Sequence, residues 1–156
     1  MKINPRFPVF YAFLSRLAGG LAIGLAAFFW LTPAQAALLT PAEEISIRAV
    51  VEGQLAALAK DDAVKAFSFA APNVRQTVGT APRFLALVRS SYPALYRPVS
   101  VAFLKPEAHH GQALQRVQVT DASGNAWLAA YSVQRQKDNT WRITGCSVVA
   151  NKARMA

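Results

Sequence analysis

The sequence predicts an α+β domain in which about three N-terminal helices pack on one face of a four-stranded antiparallel meander sheet. Three observations carry this prediction. Between Thr40 and Tyr92 apolar residues recur at spacings of three and four, the period of a helix. After Pro98 they alternate one by one, the period of a strand. The helices come first and the strands follow in one block, the order expected when helices cover one face of an antiparallel sheet.

Thr40-Pro41-Ala42-Glu43 opens the first helix with a capping hydroxyl, a proline where the helix needs no N–H, and a glutamate placed to return the capping bond. Ile47, Val51, Leu55 and Leu58 then form its apolar stripe. Lys60-Asp61-Asp62 breaks that helix and caps a shorter one carrying Ala63, Ala66, Phe67 and Ala70, which Pro72 ends. Asn73 to Val78 can add one turn before Gly79. Thr80 caps the third main helix, with Phe84, Leu87, Val88 and Ser91 on one side, and Tyr92-Pro93 closes it because the residue before proline is driven out of the helical region.

Val99, Val101 and Phe103 make the first strand, Val117 and Val119 the second, Trp127, Ala129, Tyr131 and Val133 the third, and Trp141, Ile143 and Val148 the last. The connections are Pro106 to Gly111, Asp121-Ala122-Ser123-Gly124-Asn125, and a tight turn at Asp138-Asn139.

The region before this domain reads as an export signal. Lys2, Arg6 and Arg16 make a basic start without an acid, Leu17 to Leu31 is apolar, and Ala34-Gln35-Ala36 has the small-x-small spacing of a signal peptidase site, with the cut expected between Ala36 and Ala37. An uncleaved anchor is the competing reading, but Ser15 and Arg16 interrupt the apolar region and leave it short of the roughly 20 residues a bilayer core needs. The expected mature chain is one domain, residues 37–156, in the periplasm or medium, with no membrane attachment after cleavage.

The whole chain has 17 basic and 8 acidic residues; with the three leader cations removed the domain carries a net +6. These cations are spread without a dense run, which suits a solvated surface better than a nucleic-acid footprint. Cys146 is the only cysteine, so no internal disulfide forms, and its strand-like setting suits a small buried residue better than a nucleophile.

The runs Leu55 to Pro72, Phe84 to Pro98, Gln115 to Asp121, Trp127 to Gln136 and Trp141 to Cys146 together resemble a family of exported bacterial domains of unknown function, over about residues 47–148. That family is similar to the nuclear transport factor 2-like superfamily, which includes cystatin-like and SnoaL-like folds. The resemblance implies helices and a curved sheet forming a cone around a pocket. It implies no reaction, because that superfamily hosts enzymes, binding modules and dimerisation domains alike.

An acid-base enzyme in such a cone needs an interior carboxylate or histidine with a tuned pKa. Glu43, Glu44, Asp61 and Asp62 are explained by helix starts, and Asp121 and Asp138 by turns. Glu52 falls about 100° from Val51 on the helical wheel, at or beyond the edge of the stripe. Glu107 stands beside His109-His110 in a loop, short of the three or four ligands of a zinc site. No catalytic residue, metal or cofactor is therefore assigned.

Two groups remain. Tyr92, Tyr96 and Arg97 concentrate two phenols and a guanidinium where helix gives way to sheet, either as a rigid corner or as a pocket rim for an anionic or hydrophobic ligand. Trp127, Tyr131 and Trp141 on neighbouring strands suit a core or an interface, with a second copy or an envelope protein as the partner. The expected function is a non-enzymatic ligand-binding or interaction module. The alternative is a small lyase, isomerase or hydrolase built on Tyr92, Tyr96 and Arg97.

Overall fold

A computed structural model describes residues 38–109 and 111–151. The expected signal segment, the Ala36/Ala37 cleavage site and His110 lie outside the described residues. Among the described residues no helix is long and apolar enough to cross a membrane.

Helix α1 spans Pro41–Ala59, and its capping box forms as the sequence predicts: the Glu43 N–H donates to the Thr40 hydroxyl, and the Glu43 carboxylate accepts from the Thr40 N–H at 2.8 Å. Ile47, Val51, Leu55 and Leu58 are buried along one side. Each such aliphatic side chain contributes about 1.5–3 kcal/mol relative to exposure. Gly53 lets another element approach this helix closely, since a β-carbon there would stand 2.6 Å from Cζ of Phe69.

Asp61 adopts a left-handed backbone (φ 59°) that reverses the chain, and Asp62 caps α2, Ala63–Ser68, by accepting from the Lys65 N–H at 2.9 Å. Pro72 opens a separate helix, α3, Pro72–Val78, which ends at Gly79 with φ 90°. Helix α4, Ala81–Ser91, begins at the Thr80 cap and stops before Pro93, and the expected corner contains one more turn, α5, Pro93–Tyr96.

Five strands follow: β1 (Ser100–Phe103), β2 (Glu107–His109), β3 (Gln112–Thr120), β4 (Ala126–Arg135) and β5 (Trp141–Ala150). All pair antiparallel in the order β1-β3-β4-β5, with β2 also against β3. The count exceeds the expected four because the connection Pro106 to Gly111 contains β2. β1 covers Val117 to Thr120 of β3, and β2 covers Gln112 to Leu114 on the same edge. The two are one long strand interrupted around Pro106, which has no N–H to give to a ladder.

A second departure lies in β5. Ser132 pairs with Gly145 but Val133 pairs with Ile143, so Thr144 is an extra residue in a β-bulge, its hydroxyl donating to the Ser132 carbonyl at 3.2 Å. The bulge shifts the alternation by one, so that Trp141 and Ile143, then Cys146 and Val148, all reach the same face.

That face carries Val117, Val119, Ala129, Tyr131 and Val133, which pack with Ile47, Val51 and Leu55 of α1 and with Leu95 of α5 in the main core. A second cluster joins Leu58 and Ala66 to Phe84, Leu85 and Val88. The two layers are stitched through backbone: the Ile143 N–H donates to the Phe69 carbonyl at 2.9 Å, and the Ala71 N–H to the Ile143 carbonyl at 2.8 Å.

Candidate functional site

A pocket of about 140 Å³ lies between the second cluster and the inner face of β4 and β5. α1 supplies Gln54 and Leu58, and α4 supplies Phe84, Leu87 and Val88. Val74 and Val78 of α3 are half-buried and Leu87 is exposed, which puts them at the solvent side. Tyr92 and Leu95 close one flank, and Tyr131, Ile143 and Cys146 form the sheet wall.

The polar groups of this wall descend from strand register. Gln115 on β3 stands opposite Tyr131 on β4, which stands opposite Cys146 on β5, and directly opposed residues share a face. The three make a polar row across an otherwise apolar surface. The bulge at Thr144 is what brings Cys146 into it.

Gln115 is 0% exposed; its amide donates to the carbonyls of Leu104 at 2.6 Å and Arg116 at 2.9 Å, while its Oε1 accepts nothing. Tyr131 is 1% exposed, and among the described residues its hydroxyl has no partner at full hydrogen-bond geometry. The Cys146 thiol stands beside that hydroxyl and bears on it both by charge and as a weak hydrogen-bonding neighbour, while its own defined contact is with the Ser147 carbonyl at 3.8 Å.

Burial raises the Tyr131 hydroxyl well above the usual phenol range and pushes the Cys146 thiol up to about 12. Both groups therefore stay protonated at neutral pH. Neither is a thiolate or phenolate nucleophile, because only the deprotonated form attacks.

Tyr92, Tyr96 and Arg97 divide between two places. Tyr92 lines the pocket, whereas Tyr96 and Arg97 belong to a surface knot around Asp61. The Asp61 carboxylate accepts from the Tyr96 hydroxyl, from Arg89 at 2.6 Å and from Arg97 at 2.5 Å. The two guanidiniums also sit over the Tyr96 ring, 4.8 and 5.0 Å from its centroid. Hydrogen bonds from Tyr96 and then Arg89 hold the Asp61 carboxyl below its usual range. The Arg97 charge is thus already met inside the chain.

The three aromatics considered for an interface face the helices. Tyr131 and Trp141 belong to the main core, with the Arg135 guanidinium 5.3 Å above the Trp141 ring. Trp127 packs against that core half-buried, and its Nε1 donates to Asp121 at 2.8 Å. Glu107 pairs with Arg116, and Glu52 with Arg48 at 3.8 Å, both at the surface. Among the described residues no three metal-ligating side chains converge.

Sequence reasoning did not single out Gln54 or Gln115, and it named Tyr131 and Cys146 separately without placing them side by side. One signal was present: Gln115 occupies the inward phase of β3, between Ala113 and Val117, where a polar side chain breaks the pattern. Cys146 was hidden by the bulge, which puts it out of phase with Ile143.

Residues 40–156 match a family described as a domain of unknown function (DUF4864). No curated protein and no solved structure matches the chain.

Proposed function

The chain belongs to this DUF4864 family of domains of unknown function, and we propose that it is a non-enzymatic module that binds a small molecule in the pocket between α1, α3, α4 and β5. The observation that carries the reading is the Tyr131 hydroxyl: it is buried on a residue of the pocket wall, and among the described residues the only polar group beside it is the Cys146 thiol, a weak hydrogen-bonding partner. Leaving such a group unpaired costs about 1–3 kcal/mol, so a partner that completes it gains by binding there.

Reversible binding suits the site better than turnover. Two lining groups that could exchange protons, Tyr131 and Cys146, are held neutral by burial, far from the working range of a general base near pH 7. Tyr96 and Arg97, needed by the enzymatic alternative, are committed to Asp61.

The reading includes a place of action outside the cytoplasm, with residues 1–36 as a cleaved leader, and a helix-on-sheet fold of the nuclear transport factor 2-like kind. The basic start, apolar run and Ala34-Gln35-Ala36 site support the first. The helices on one face of an antiparallel sheet support the second.

The full chain, expressed in a bacterial host, is fractionated and its N-terminus sequenced; a chain beginning at Ala37 in the periplasm is expected. The recovered protein is then screened by thermal shift against small neutral compounds. Stabilisation by some of them, lost when Val74→Phe fills the solvent side of the pocket, is expected. A screen with no shift, or shifts indifferent to Val74→Phe, counts against the binding reading.

A further inference from the structure

Resting on the proposal that this pocket binds a small molecule, we infer the class of its occupant: a neutral, ring-sized compound with one hydrogen-bond acceptor, which the Tyr131 hydroxyl meets at the inner end of the pocket. Charge, size and the state of each polar group lead to the same class.

Among the described residues that line the pocket there is no Lys, Arg, His, Asp or Glu. A carboxylate or an ammonium entering it would lose its hydration and find no counter-charge, which is a large penalty in an apolar surround. The occupant is neutral.

The volume is about 140 Å³. A cavity of roughly 150 Å³ lined by aliphatic and aromatic side chains accepts benzene. With Leu58, Phe84, Val88 and Ile143 as walls, the space suits one six-membered ring and its substituent atom rather than a lipid chain or a fused ring system.

Of the four polar side chains on the lining, Gln54, Tyr92, Tyr131 and Cys146, two have a defined partner. The Gln54 amide donates to the Ala66 carbonyl at 3.2 Å, and the Cys146 thiol to the Ser147 carbonyl. Of the two phenols, Tyr92 is half-buried on one flank, and the fully buried Tyr131 hydroxyl has only the weak Cys146 thiol beside it. It is a phenol at neutral pH, because burial opposes its ionisation, and a phenol offers its proton to a carbonyl or ether oxygen.

The test compares cyclohexanone with methylenecyclohexane, which has the same shape without the oxygen, and with benzoate, using calorimetry and the amide shifts of Val74, Val88 and Gly145 on the full chain. Cyclohexanone is expected to bind the wild-type protein about tenfold more tightly than methylenecyclohexane, the ratio a neutral hydrogen bond supplies. Tyr131→Phe is expected to abolish the difference while methylenecyclohexane keeps its affinity, and benzoate is expected not to bind.

Equal affinities of the wild-type protein for the ring pair would overturn the class and leave the binding reading standing, as would benzoate binding best. If none of the three binds, and Val74→Phe behaves like the wild type, the class and the binding reading fall together. Should Tyr131→Phe fail to fold, the wild-type ratio between the ring pair decides alone.

Discussion

Asp61 and Tyr131 show two treatments of a polar group in one small domain. Asp61 stands at a partly exposed turn, and its two oxygens accept from a phenol and two guanidiniums, which in turn stack on the same ring. Tyr131 is buried beneath the helices, where a hydrogen bond is worth most, and has only the weak Cys146 thiol beside its hydroxyl. The exposed group is saturated and the buried one is not. Saturation marks a fastener: the knot ties the α1–α2 turn to the end of α4 and to Arg97. Unused capacity in a pocket wall marks a place where something else can bind.

Substitutions sharpen this contrast, beginning with the largest effect. Gln115→Leu keeps the volume of a fully buried side chain but withdraws the donors from the Leu104 and Arg116 carbonyls. It is expected to destabilise the fold by about 1–3 kcal/mol in urea unfolding. A loss near zero would mean that the polar row as a whole is dispensable.

Asp61→Asn keeps a residue that tolerates the left-handed backbone and removes only the charge. It is expected to lower Tm in dilute buffer, with a deficit that shrinks in molar salt. The sign in pH follows from the lowered carboxyl: its contribution is complete above the unfolded value near pH 4 and is lost as pH falls through the lower folded value. Wild type and variant should therefore begin to converge in thermal melts as pH falls below about 4 and meet once it passes the lowered folded value.

Tyr131→Phe has the smallest expected effect and the opposite sign. Deleting an unpaired buried hydroxyl should leave stability unchanged or raise it by up to about 1 kcal/mol. A clear loss of stability would show that the hydroxyl has a structural partner, and the contrast with Asp61 would then dissolve.

Much of the fold was legible because its signals are local. The Thr40–Glu43 box, the Asp62 and Thr80 caps and the stop before Pro93 each lie within four residues of sequence, and each stands where expected. The alternation in β3 and β4 was equally plain. What escaped depended on partners far along the chain. β2 exists only because β3 offers it a free edge beyond the break at Pro106. Cys146 joins Tyr131 only because Thr144 is squeezed out of register. Tyr92, Tyr96 and Arg97 were adjacent in sequence and chemically suggestive, but Asp61, 36 residues before Arg97, drew the last two away from the pocket.

The backbone bridge from Phe69 and Ala71 to Ile143 also sets how this domain breathes. On its far side lies α3, seven residues with no fully buried side chain, bounded by Pro72 and Gly79. Its amides can exchange with solvent through a local opening that leaves the sheet and the bridge intact, at a free energy well below that of global unfolding. Since Val74 and Val78 stand at the solvent side of the pocket, entry and exit would follow the opening rate of this one helix, and an occupant would reveal itself as slowed deuterium uptake confined to residues 73–79.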